Sequence, residues 1–105
     1  MKDANNPAAF VVMPEFRVAP AAMAAFLEVA ADDARHSVAD EAGCRQFDVV
    51  RPDGGQDIVV FYEVYDDRAA FDAHLKTPHL LRFQAAMKRL GVDETQVRFA
   101  ARHCP

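Results

Sequence analysis

The chain has 105 residues, a net charge of −4 and 51% hydrophobic residues, which describes one small domain with room for a single core. A domain of this size buries roughly two-thirds of the surface its unfolded chain exposes, so it needs no disulfide framework or structural metal, and two domains do not fit. The acidic balance, without any Lys/Arg run, excludes a surface built for nucleic acid or an anionic membrane, and a large cofactor fold has no room.

Residues 1–8 carry an acid, Asp3, where a signal peptide would be apolar. They are expected to form a flexible N-terminus ahead of a single domain over residues 9–103. The longest uncharged run, Val18 to Leu27, is far short of the ~20 residues of a membrane span, so the expected compartment is the cytoplasm. Phe10 to Val18 predicts a strand with Phe10, Val12, Phe16 and Val18 on one face, and Pro14, which cannot donate to a ladder, predicts a bulge. Pro20 is placed to open a helix running to about Ala39, with an apolar stripe of Met23, Phe26, Leu27, Ala30, Ala34 and Val38. At 100° per residue, Asp33 and Ser37 fall within about 20° of Phe26 and rim that stripe, while Glu28, Asp32, Arg35 and His36 point into water.

Gly43 closes the connection to a strand from Cys44 to Arg51, with Phe47 and Val49 on one face. Pro52-Asp53-Gly54-Gly55 is a hairpin turn. The return strand, Asp57 to Tyr65, is apolar on both faces apart from Glu63, which places it centrally in a sheet. Asp66 or Asp67 caps a short helix through Leu75 that presents Phe71, His74 and Leu75 together. Thr77-Pro78 starts another helix, ending at Gly91, with Leu80, Phe83, Met87 and Leu90 as its stripe and His79 on the same face. Thr95 to Arg102 alternates as a last strand.

Strand, helix, strand, strand, helix, strand is the order of the α+β, ferredoxin-like βαββαβ arrangement, a four-stranded antiparallel sheet with its helices on one face. The other face would be left wet with apolar side chains, and pairing with a second copy, a homodimer, removes that patch most simply. Cys44 and Cys104 have no partner spacing; the first reads as a small hydrophobe and the second as part of a frayed tail.

No phosphate loop, dinucleotide fingerprint, HExxH, nucleophile elbow or CxxC is present, so neither cofactor nor metal is expected, and any chemistry falls to ordinary side chains in a pocket. His74 and His79, on apolar helix faces, are the candidate catalytic acid or base groups; the alternative is that each packs and bonds a backbone carbonyl. As a metal pair they lack a third ligand of fixed spacing. Asp33 and Ser37 are candidate substrate contacts or a solvated helix edge. Glu63 is either a site residue or one half of an ion pair with Arg98 or Arg102. Phe61, Tyr62, Tyr65 and Phe83 are expected as core aromatics, some of which would line any cavity between sheet and helices and favour a flat, apolar or aromatic ligand.

The stretches Asp40-Glu41-Ala42-Gly43-Cys44-Arg45-Gln46-Phe47-Asp48-Val49, Phe61-Tyr62-Glu63-Val64-Tyr65-Asp66-Asp67 and Ala70-Phe71-Asp72-Ala73-His74-Leu75-Lys76-Thr77-Pro78-His79-Leu80 resemble the antibiotic biosynthesis monooxygenase family, the F-x-x-H-x-x-T-P-H string being the most specific part. The resemblance covers roughly Phe10 to Phe99 and implies a dimeric α+β barrel of two ferredoxin-like subunits. Its activities would be cofactor-free oxygenation of quinol-like or polyketide phenols, isomerisation of a small phosphorylated dione, or haem degradation. It carries over His74, His79, Glu63, and Tyr65 at a position often held by Trp. Two departures are Ala42 where many relatives have Pro and Asp33 where they have Asn, and the lack of Trp speaks against haem degradation. A phosphorylated substrate would want cations at the pocket mouth, for which Lys76, Arg82, Arg35 and Arg45 are the candidates. An uncharged aromatic substrate is therefore favoured.

Overall fold

The computed structural model describes residues 9–104; the flexible N-terminus expected for 1–8 lies outside them. Strands β1 (Phe10–Arg17), β2 (Cys44–Val50), β3 (Ile58–Tyr65) and β4 (Asp93–Ala101) form one antiparallel sheet in the order β2-β3-β1-β4. Helices α1 (Met23–Asp40), α2 (Arg68–His74) and α3 (Pro78–Leu90) complete the ferredoxin-like arrangement. β3 is central, as its two apolar faces predict, and β4 is an edge strand.

The core forms where β1 and β3 present alternate residues to the helices. Phe16 lies 4.7 Å from Phe61, 5.4 Å from Phe26 and 5.7 Å from Phe83 between ring centroids, so one aromatic cluster ties two strands to α1 and α3. The opposite face carries a smaller group, Ala9, Val11 and Val64 with Met13 and Ala100 against it, and leaves Tyr62 exposed. No helix among the described residues is long and apolar enough to cross a membrane.

Several local expectations shift. Pro20 opens a 3₁₀ turn, Pro20–Ala22, with α1 starting at Met23. Pro14 sits inside a central strand: the β1·β3 ladder pairs Val12 with Glu63 and Glu15 with Val60, passing over Met13 and Pro14. The irregularity with β4 falls one residue later than expected, between Glu15 and Phe16. On α1 the buried line is Met23, Phe26, Ala30, Asp33 and Ser37, with Ala34 half-buried and Val38 exposed. Asp33 and Ser37 therefore lie in the buried stripe and not on its rim, because α1 lies across β2 and α3 along the side on which those two residues fall. His36 is half-exposed, as expected of the outer face, yet its ring stacks on His79 at 5.8 Å.

Caps fix the approach of α2 and α3. Asp67 accepts a hydrogen bond from Ala70 N at 2.8 Å, and Gly91 takes a left-handed φ of 68° to stop α3. The Thr77 hydroxyl accepts from Leu80 N and donates to the His74 carbonyl at 2.8 Å, so one residue joins the end of α2 to the start of α3 and sets the two histidines side by side. Gly43 allows the start of β2 to meet α2. A Cβ there would lie 2.5 Å from the Ala70 Cβ, too close for any residue but glycine.

Candidate active site

A cavity of about 380 Å³ lies between the sheet and the helices. Its floor is Val12, Pro14 and Phe16 of β1 with Phe61 and Glu63 of β3; α2 contributes Phe71 and His74, α3 contributes Leu80, Phe83 and Met87, and Val97 and Phe99 of β4 close one side. The walls are mostly apolar and aromatic, with Asp33, Glu63 and His74 as polar groups at the inner end.

Each of those three polar groups has a second residue behind it. Ser37 Oγ faces Asp33 Oδ1 at 3.4 Å, Tyr65 Oη donates to Glu63 Oε1 at 2.5 Å, and His74 Nδ1 lies 2.8 Å from Glu41 Oε2. The same Glu41 oxygen takes His79 Nε2 at 2.5 Å. The sequence-predicted site is thus split: Asp33, Phe61, Glu63, His74 and Phe83 reach the cavity wall, while Ser37, Tyr65 and His79 are buried beside wall residues and do not line it. The hydroxyls of Ser37 and Tyr65, expected to meet a substrate, are turned to the neighbouring carboxyl groups of Asp33 and Glu63. Neither histidine simply bonds a backbone carbonyl; both hold a carboxylate.

The expected pairing of Glu63 with Arg98 or Arg102 is not the arrangement found: Arg102 lies with Val11, Met13 and Tyr62 on the face of the sheet away from the cavity. The register sets Arg98 opposite Met13, whereas Phe99, on the cavity side, faces Val12, so Arg98 points to the other face of the sheet. Burial pushes the Glu63 carboxyl up to about 8, an effect that the Tyr65 hydrogen bond and the nearby charge of His74 only partly offset. Glu63 therefore carries its proton at neutral pH. Burial also lifts Asp33 to about 6 against the pull of His74 and His79. Glu41 goes the other way: burial would raise it, but the hydrogen bonds from the two histidines outweigh burial and hold it below the usual carboxylate range. Burial would lower His74, and its hydrogen bond to Glu41 outweighs that and raises it. Tyr65 is pushed far above its ordinary range by burial and by Glu63, so its hydroxyl remains a donor.

The proton on Glu63 has a stability consequence. The folded state retains it up to about pH 8 and the unfolded state loses it near 4.5, so its contribution is full below pH 4.5 and is lost as the pH rises through about 8. Glu63→Gln, which mimics the neutral acid, is expected to gain in Tm relative to the parent protein as the pH is raised from 5 to 8. A gap in Tm that stays constant across that range would contradict a neutral carboxyl.

Asp33, His74 and His79 each offer a ligand atom within 4.8 Å of the others, so the third group that sequence spacing does not provide comes from α1. One nitrogen of each histidine is already engaged by Glu41. Glu41 itself is the residue sequence reasoning missed. It sits one position past α1 in extended backbone (φ −102°, ψ 116°), off the helical periodicity that finds the others; its only signal is an acid just ahead of the Gly43 turn.

The sequence profile described as antibiotic biosynthesis monooxygenase matches residues 9–86. The chain belongs to the antibiotic biosynthesis monooxygenase family. Among solved structures, Rv0793 from Mycobacterium tuberculosis is similar at 28% identity, 89% of this chain and 93% of that one, with a TM-score of 0.77. A conserved protein from Methanosarcina mazei Go1 shares 18% identity over 92% and 95% of the two chains, TM-score 0.83. A candidate antibiotic biosynthesis monooxygenase from Nitrosomonas europaea shares 22% over 88% and 96%, TM-score 0.79. These last two likenesses are of fold. No curated protein matches the chain by sequence.

Proposed function

We propose that this family member is a cofactor-independent monooxygenase acting on a small quinol-like or polyketide-type phenol, with His74 as its base. The observation that carries the reading is a cavity of about 380 Å³, walled by Phe16, Phe61, Phe71, Phe83 and Phe99, with a histidine and a protonated carboxyl at its inner end. That volume suits a flat ring system, and the apolar walls keep water from the reacting anion.

The chemistry needs few protein groups. His74 takes the phenolic proton. The phenolate passes one electron to O2, and the two radicals join at ring carbon. The resulting peroxide loses water to give the quinone; the four electrons come from the phenol, one oxygen atom enters the product and the other leaves as water. The neutral Glu63 carboxyl, with Tyr65 holding Oε1, supplies a proton donor for the departing oxygen. The same His74 and Glu63 pair could enolise a dione, but among the described residues the cavity wall offers a phosphate one arginine, Arg68, which pairs with Asp72 at 3.5 Å and lies over the Phe10 and Phe99 rings; Arg45 pairs with Asp66, Arg82 with Asp32, and Lys76 and Arg35 do not line the cavity. Oxygen uptake and quinone absorbance with a panel of hydroquinones and naphthols test the reading; no uptake with any of them would overturn it.

In this reading the chain pairs with a second copy through the sheet face that the helices leave open, where Tyr62 is exposed and Met13 half-buried. Sedimentation at micromolar concentration is expected to give twice the chain mass. A monomer would count against the pairing.

A further inference from the structure

We infer that Glu41 is the positioning residue of this site: a single carboxylate oxygen, gripped by two buried histidines, sets the tautomer of His74 and so decides which of its nitrogens can take a proton. The inference rests on the reading of His74 as the base, but its geometry is independent of any substrate.

Oε2 of Glu41 lies 2.8 Å from His74 Nδ1 and 2.5 Å from His79 Nε2, while Oε1 is buried without a hydrogen-bond partner. All of the carboxylate's pairing therefore runs through one atom. An ionised carboxylate only accepts, so both ring nitrogens that face it carry hydrogen. His74 is then the Nδ1–H tautomer, and its Nε2, on the far side of the ring from Glu41, holds the lone pair. Because the ring forms part of the cavity wall, that nitrogen is the one free to meet a phenol. The imidazolium formed on proton transfer stays beside the Glu41 charge, which stabilises it.

His79 holds Glu41 in place from the other side. Its side chain is buried, and its ring is stacked on His36, which bonds Asp40 at 2.8 Å at the surface. A merely packed carboxylate would not need two donors on one oxygen. The other groups facing His74 are Asp33 from α1, Glu63 and the Tyr65 ring from β3, and the uncharged Phe47 ring from β2. Of the carboxyl groups among these, Glu41 alone is hydrogen-bonded to the imidazole.

The test is Glu41→Gln, followed by activity and by nitrogen-15 NMR of the histidine rings. An amide keeps the size but not the charge, and can present an N–H to one of the two histidines. Expected are a fall in kcat of about 10²- to 10⁴-fold with KM little changed, and an acid limb of the pH–kcat profile moved to lower pH as His74 loses its anion. Glu41→Asp, which restores the charge on a shorter stem, is expected to recover part of the kcat and return the limb toward its original position. In the unaltered protein the spectra are expected to show His74 protonated at Nδ1 in its neutral form, a measurement that needs no variant to fold. Finding Nε2–H in the unaltered protein, or a pH limb and tautomer that Glu41→Gln leaves in place, would overturn the inference. Failure of the parent enzyme to oxidise any phenol would instead overturn the assigned reaction, with the tautomer still deciding the role of Glu41.

Discussion

His74→Ala is expected to lower turnover of a phenolic substrate by about 10²- to 10⁴-fold, the usual worth of a positioned general base, with substrate affinity changing much less. Of the two histidines that the sequence offers as equals, only this one lines the cavity. The substitution removes a ring that is 2% exposed, so part of the effect could come from disturbed packing with Phe47, Tyr65 and Phe71. His74→Gln, which nearly fills the site but cannot accept and return a proton, separates the two: it should retain the thermal transition of the parent and still lose activity. Oxygen uptake that persists in both variants would remove His74 from the mechanism.

The second large effect concerns the fold. Phe16→Ala is expected to cost about 3–5 kcal/mol, a large share of the roughly 5–15 kcal/mol that holds a typical domain together. Phe16 is 1% exposed and meets the rings of Phe26, Phe61 and Phe83, so its loss opens a void at the point where β1, β3, α1 and α3 converge. Because it also lies on the cavity floor, the void joins the candidate site and cannot collapse without drawing the cavity walls inward. Urea titration is the appropriate measurement. A loss below about 1 kcal/mol would show that the cluster repacks and that its rings are not held by shape.

What the sequence reveals depends on the kind of signal each residue gives. The paired apolar faces of β3, the turn at Gly54 and Gly55, and the caps at Asp67, Thr77 and Gly91 are local rules, read within a few residues, and they settle element type and order. His74 and His79 were visible because a polar residue on an apolar stripe is conspicuous. The partners of these residues were not visible. Glu63 invited an arginine from β4, but pairing is settled by register, and the register turns Arg98 to the opposite face of the sheet. Asp33 looked like a rim residue because a helical wheel gives angle around α1 and says nothing about where its neighbours lie.

Pro14 shows the same limit from the backbone side. The rule against proline in a central strand predicts a bulge, yet the ladder passes over the position and shifts one residue later. Glu41 shows it most fully: at a non-helical position, 33 residues from His74 and 38 from His79, it has no periodicity to mark it and acquires its place only when Gly43 lets β2 approach α2. The amino-acid sequence by itself determined the ferredoxin-like order of elements, the identity of the buried histidines and the aromatic character of the core, since these follow from patterns between near neighbours. Only the tertiary structure decided which histidine faces the cavity, that Glu63 keeps its proton, and that Glu41 joins the two rings, because each depends on distances across the fold and on burial that no local pattern contains.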